Sequence, residues 1–114
     1  MIRIFALFLL TTLCACVSTT SLYAWGHYED LIYSSYAQPG GLPPETQILK
    51  MQEDYQKAIG SNKSVPPGWH AHLGYLYAQQ GQFSDAQREL MEEKTLFPES
   101  AVMMDRLLLN LRRQ

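Results

Sequence analysis

The chain lacks most of what large functional classes need. It holds only two cysteines, Cys14 and Cys16. They stand so close that a bridge between them would close a strained ring, so no disulfide framework staples the fold. It has no excess of positive charge: 9 Lys and Arg face 11 Asp and Glu, a net charge of -2. A nucleic-acid protein needs a basic face that this balance cannot assemble. Its amino-terminal apolar run, Ile4 to Leu10, falls well short of the roughly 20 residues of a transmembrane helix. No alternating strand pattern is long enough to compete with helical periodicity. At 114 residues the chain holds at most one small domain, which excludes a multi-domain enzyme.

What is present begins with a processing signal. Arg3 supplies a short positive region before the apolar run, and no acidic residue precedes Glu29. The run ends Leu13-Cys14-Ala15-Cys16, an aliphatic residue three before a cysteine and a small one just before it. This resembles a bacterial lipobox, which implies a signal peptide of residues 1–15 cleaved after Ala15 and lipid on Cys16. Cys14 stands where Ala, Ser or Thr is more usual, and Leu13 is too bulky to precede a lipidated residue. Plain secretion and an uncleaved anchor are the competing readings. Cleavage removes Arg3, leaving eight basic side chains against 11 acidic ones, or -3. Val17 rather than Asp after Cys16 resembles the enteric sorting pattern that implies transport to the outer membrane. Residues 16–21 form a short polar tether, whose five residues after the cysteine reach less than about 20 Å. The domain of residues 22–114 is therefore expected beside the membrane, on its periplasmic face.

Past the tether an all-α fold of about five helices is expected. Trp25, Tyr28, Ile32 and Tyr36 mark one face of a first helix ending before Gln38-Pro39-Gly40-Gly41. Pro43-Pro44-Glu45 opens a second, with Ile48, Met51, Tyr55 and Ile59 inward. Lys50 with Asp54 and Glu53 with Lys57 would then pair on its wet side. A third helix follows Pro66-Pro67-Gly68, with Trp69, Leu73, Leu76 and Tyr77 inward and Gln80-Gly81 as its stop. Ser84 and Gln87 fit a capping box for a fourth, whose inner face is Phe83, Ala86, Leu90 and Phe97. Pro98 opens a fifth, with Ala101, Met104, Leu108 and Leu111 as its stripe.

Residues Pro67 to Ser100 place Leu73-Gly74, Tyr77, Gly81, Phe83, Ala86, Leu90 and Pro98 at spacings that resemble one tetratricopeptide repeat of 34 residues. Small Gly74 and Ala86 would let two helices approach, Gly81 would turn the chain, and Phe83 and Tyr77 would fill the groove. The departures are His70 where Trp is usual, Leu90 for an aromatic, and Glu93 where Ala is common. Further motifs extend the likeness: Trp25-Gly26-x-Tyr28 with Leu31-Ile32-Tyr33, Pro66 through Gly74, Glu93-Lys94, Phe97-Pro98-Glu99-Ser100 and Met104-Asp105. Together they resemble domain-of-unknown-function family 4810, small Gram-negative lipoproteins with no assigned activity. That resemblance covers nearly all of residues 22–107. It implies a gene neighbourhood with a lipoprotein related to the curli secretion channel and a second small lipoprotein, hence a joint envelope assembly.

Signals for chemistry are sparse. His70 and His72 are two apart on a helix and diverge by about 200 degrees, too far to grip one metal. His27 stands alone near the tether, and adjacent Glu29 and Asp30 diverge into solvent. No nucleophile has a base and an orienting group, so no catalytic site, cofactor or small-molecule substrate is expected. Asp85, Glu89, Glu92 and Glu93 crowd the fourth helix, as a solvated face or as a dock for a basic partner, with Arg88 offsetting part of the charge through Glu92. Leu107 to Leu111 is wider in apolar coverage than one buried face requires. Repeat stacks usually need three units, and about two are present. Two readings follow. One is a membrane-tethered adapter engaging other envelope lipoproteins through Trp25, Tyr28, Trp69, Tyr77 and the terminal helix with Leu108 and Leu111. The other is a module that binds a peptide or a cell-wall fragment in an aromatic groove lined by Tyr28, Tyr36, Tyr55 and Tyr77.

Overall fold

The computed structural model describes residues 20–114. The expected signal peptide, Cys16 and most of the expected tether lie outside the described residues. Among the described residues there are five α-helices: α1 (Tyr28–Ala37), α2 (Pro44–Gly60), α3 (Trp69–Gln79), α4 (Phe83–Leu96) and α5 (Ala101–Leu111), with a 3-10 turn over Pro98–Ser100 before the last. The architecture is all-α.

Each boundary has a local cause. Glu29 and Asp30 sit in the first turn of α1, where negative charge meets the positive end of the helix dipole. Pro44 opens α2, since its missing N–H is one that a helix start leaves unpaired anyway. Gly81, at φ 71°, reverses the chain between α3 and α4. The capping box expected from Ser84 and Gln87 does not form: Gln82 is the capping residue and no side chain bonds there. The chain before α1 is tied to the α2–α3 connection, because Ala24 N–H donates to the Ser64 carbonyl at 2.8 Å. Tyr23 and Ser64 thereby form an isolated parallel bridge.

The core joins Leu31 of α1, Ile48, Met51 and Ala58 of α2, Val65, Trp69, Leu73, Leu76 and Tyr77 at α3, and Ala86 of α4. The inward set of α3 is the expected one. Two other faces are rotated. In α1 the buried residue is Leu31, while Tyr36 is 82% exposed. In α2 the buried stripe runs Ile48, Met51, Asp54 and Ala58, leaving Tyr55 and Ile59 on the exposed side. Both sets share Met51, so the step after it decides the face. Asp54 is drawn inward by His27, whose backbone N–H donates to the carboxylate at 2.6 Å and whose Nδ1 lies 3.0 Å from it. The surface pair of Lys50 with Asp54 is therefore not formed, and His27 is not a lone residue.

Helices α3 and α4 run antiparallel as a tight hairpin. A Cβ on Gly74 would stand 3.1 Å from the Ala86 carbonyl oxygen, so the two small residues do set the approach of the helices. Phe83 is 38% exposed and Phe97 lies beyond the helix, so Ala86, Glu89, Leu90 and Glu93 form the buried face of α4. Helix α5 lies against α4 through buried Met104 and the Lys94–Asp105 ion pair at 2.7 Å. Val102, Met103 and Leu109 point away to solvent.

Candidate functional site

An open groove of about 750 Å³ lies between α2, α3 and α4. Its aromatic wall is Tyr55, whose ring stacks on Trp69 with centroids 5.5 Å apart and planes inclined by 26°. Trp69 is 1% exposed, so a fixed indole holds a phenol that reaches the opening. Tyr77 is anchored from the facing helix, because Gln52 Nε2 donates to its hydroxyl at 2.8 Å. Both rings thus lose their freedom before any ligand arrives, which reduces the ordering cost of binding.

A buried polar chain lies beside these rings. His70 Nδ1 stands 2.8 Å from Glu89 Oε2; an ionised carboxylate only accepts, so this nitrogen carries the proton. The other carboxylate oxygen, Oε1, accepts from Arg88 at 3.0 Å, and Arg88 also reaches Asp85 at 2.6 Å. Burial alone would raise the Glu89 carboxyl; the hydrogen bonds and charges of His70 and Arg88 outweigh it and hold the group below its ordinary value. Glu93 is also buried with its partners, accepting from the Gly68 N–H at 2.6 Å and the Ala71 N–H at 3.3 Å at the start of α3. Two of the four acidic residues expected on the surface of α4 are therefore buried, and Arg88 serves Asp85 and Glu89 rather than Glu92. Glu53 and Glu92 remain on the groove walls with no ion pair among the described residues.

The aromatic residues expected to line one groove divide among three places. Tyr55, Trp69 and Tyr77 line the groove. Tyr28 instead meets Trp25, stacked at 6.4 Å, and His72, edge-on at 6.2 Å, with its hydroxyl against Gly68. Burial, helped by the charge of Glu93, raises its pKa. Tyr36 is exposed on α1. Leu108 and Leu111 are half-buried, and Leu111 packs against the core, so the free apolar face of α5 is Val102, Met103 and Leu109 instead. His72 faces a second, smaller cavity, and burial lowers its pKa.

The buried pair His70–Glu89 and the cap from Glu93 were missed as site features. A signal was available: Glu89 and Glu93 fall on the helical stripe of Ala86 and Leu90, and a carboxylate on an apolar stripe needs a buried partner. Among the described residues, no three His, Cys, Asp or Glu side chains could hold a metal ion. No helix there is long and apolar enough to cross a membrane.

Comparison with curated proteins and with solved structures finds no match. One family model does match, over residues 22–107, the stretch that contains the groove, the α3–α4 hairpin and most of α5: the chain belongs to the family described as domain of unknown function DUF4810.

Proposed function

We propose that this protein is a lipid-anchored adapter of the outer membrane, held on the periplasmic face through Cys16 and engaging other envelope lipoproteins. In this reading the α3–α4 hairpin is a single tetratricopeptide-like unit. Its partners include a lipoprotein related to the curli secretion channel and another small lipoprotein. The observation that carries the reading is the preorganised groove, where Tyr55 rests on an immobile Trp69 beside uncompensated Glu53 and Glu92. Such a groove suits an extended segment that offers one apolar side chain to the ring and a basic one to the carboxylates. No catalysis, cofactor or nucleic acid enters the reading.

The same groove supports the second reading, a free peptide or a cell-wall fragment as ligand, and molecular size separates the two. Affinity purification with the anchor intact is expected to recover other lipoproteins at native expression. Glu53→Gln combined with Glu92→Gln, two exposed carboxylates on the groove walls, is expected to lose them while leaving the thermal transition nearly in place. Recovery of the bait alone overturns the adapter reading.

A further inference from the structure

We infer that the aromatic cluster where the folded domain begins is its footing on the lipid: Leu22, Tyr23, Trp25 and Phe97 rest in the interfacial layer of the membrane. The inference builds on the anchor reading of Cys16 and says which face of the domain that anchor presents. Tyr23 stands edge-on to Trp25, with centroids 6.4 Å apart, and edge-on to Phe97 at 6.3 Å. It thereby joins the start of the domain to the corner between α4 and α5 in one patch. Leu22 is 77% exposed and Trp25 is 39% exposed. Rings with an apolar body and a polar tip favour the layer between headgroups and hydrocarbon.

The length of the tether selects the lipid as what covers this patch. Six residues lead from Cys16 to Leu22 and can extend no further than about 20 Å. Acyl chains on Cys16 would hold that end of the segment at the hydrocarbon boundary. The other end is fixed to the domain by the Ala24–Ser64 hydrogen bond, so the patch moves with the whole domain rather than as a loose tail. Charge is balanced here: Lys94 is committed to Asp105, and exposed Glu99 just past Phe97 offsets exposed Lys63 beside Ser64. The contact is therefore made by rings and needs no anionic lipid.

The two tryptophans make the test direct, since Trp69 is buried in the core and Trp25 is not. The processed protein, with its acyl chains, is reconstituted in phosphatidylcholine vesicles whose chains carry bromine near the glycerol end. Its emission is compared with that in unbrominated vesicles, while mass spectrometry of the amino-terminal peptide reads acylation. Quenching of the Trp25 share of the emission is expected, lost in Trp25→Phe and weakened in Leu22→Glu. Replacing part of the phosphatidylcholine by phosphatidylglycerol is expected to leave the quenching unchanged. Equal emission in both vesicle types, with Cys16 acylated, overturns the footing and leaves the anchor standing. Quenching that persists in Trp25→Phe, or that requires phosphatidylglycerol, overturns it as well. A Cys16 without acyl chains removes both readings together.

Discussion

Glu93 of α4 caps the start of α3 across the hairpin: its Oε1 accepts the Gly68 N–H at 2.6 Å and its Oε2 the Ala71 N–H at 3.3 Å. A helix start leaves four N–H groups without intrahelical partners, and Gly68 has no side chain to serve them. The carboxylate comes from the neighbouring helix instead and also meets the positive end of the dipole. It therefore couples the register of the hairpin to the start of its first helix. Glu93→Ala should lower stability by about 3 kcal/mol, since hydrogen bonds to a charged group carry more than neutral ones. Glu93→Gln, which keeps an acceptor, should cost less. Urea denaturation followed by circular dichroism measures both, and a Glu93→Gln variant as stable as the parent would remove the charge from the account.

Gly68 meets a second constraint, because its φ is 89° and a Cβ there would stand 2.6 Å from the Tyr28 hydroxyl. Gly68→Ala should therefore destabilise by about 2 kcal/mol, from the left-handed backbone and the collision together. Removing the hydroxyl with Tyr28→Phe in the same chain should recover part of the loss but not all. Thermal melts of the two variants check this, and full recovery would mean that the backbone contributes nothing.

Acid should weaken the fold through His72. Its folded pKa lies below the ordinary 6.5 because burial disfavours the charged ring. The unfolded chain then takes up the proton first, so the stability is fully present above about pH 6.5 and declines as the pH falls toward the folded value. Glu89 adds to this at lower pH, since a carboxyl held below its ordinary 4.5 contributes stability that is lost as the pH falls through its folded value. Denaturation midpoints between about pH 7.5 and pH 5.5 should fall in the parent and fall less in His72→Gln. The difference between the two isolates His72 from His27 and His70, and parallel curves would refute the assignment.

Helix α5 separates packing from exposure within one short sequence. Leu111 touches the core while Leu109 is exposed. Leu111→Glu is expected to cost about 2 kcal/mol, from lost burial and a desolvated carboxylate. Leu109→Glu should stay within about 0.5 kcal/mol. Thermal denaturation distinguishes them, and only the second variant is suited to probing partners.

Much of the fold was legible in the residues themselves. The positions of Pro44, Gly68, Gly81 and Pro98 bound the helices, because proline and glycine act on the backbone whatever surrounds them. The inward stripe of α3 was equally plain, since Trp69, Leu73, Leu76 and Tyr77 leave only one apolar face. The approach of α3 to α4 could be read from Gly74 and Ala86 for the same local reason.

Tertiary structure alone decided which of two near-equivalent faces turned inward and which polar groups went with it. In α2 the periodicity allowed Tyr55 or Asp54 after Met51, and the answer rested on His27, which lies outside that helix. The four carboxylates of α4 looked alike in the sequence, yet Glu89 and Glu93 are buried because His70 and two N–H groups of α3 stand opposite them. The tyrosines divided between the groove and the start of the domain by the same rule. Local chemistry determines where a helix begins and ends, but burying a charge or aiming a ring requires a partner that only the folded chain brings into reach.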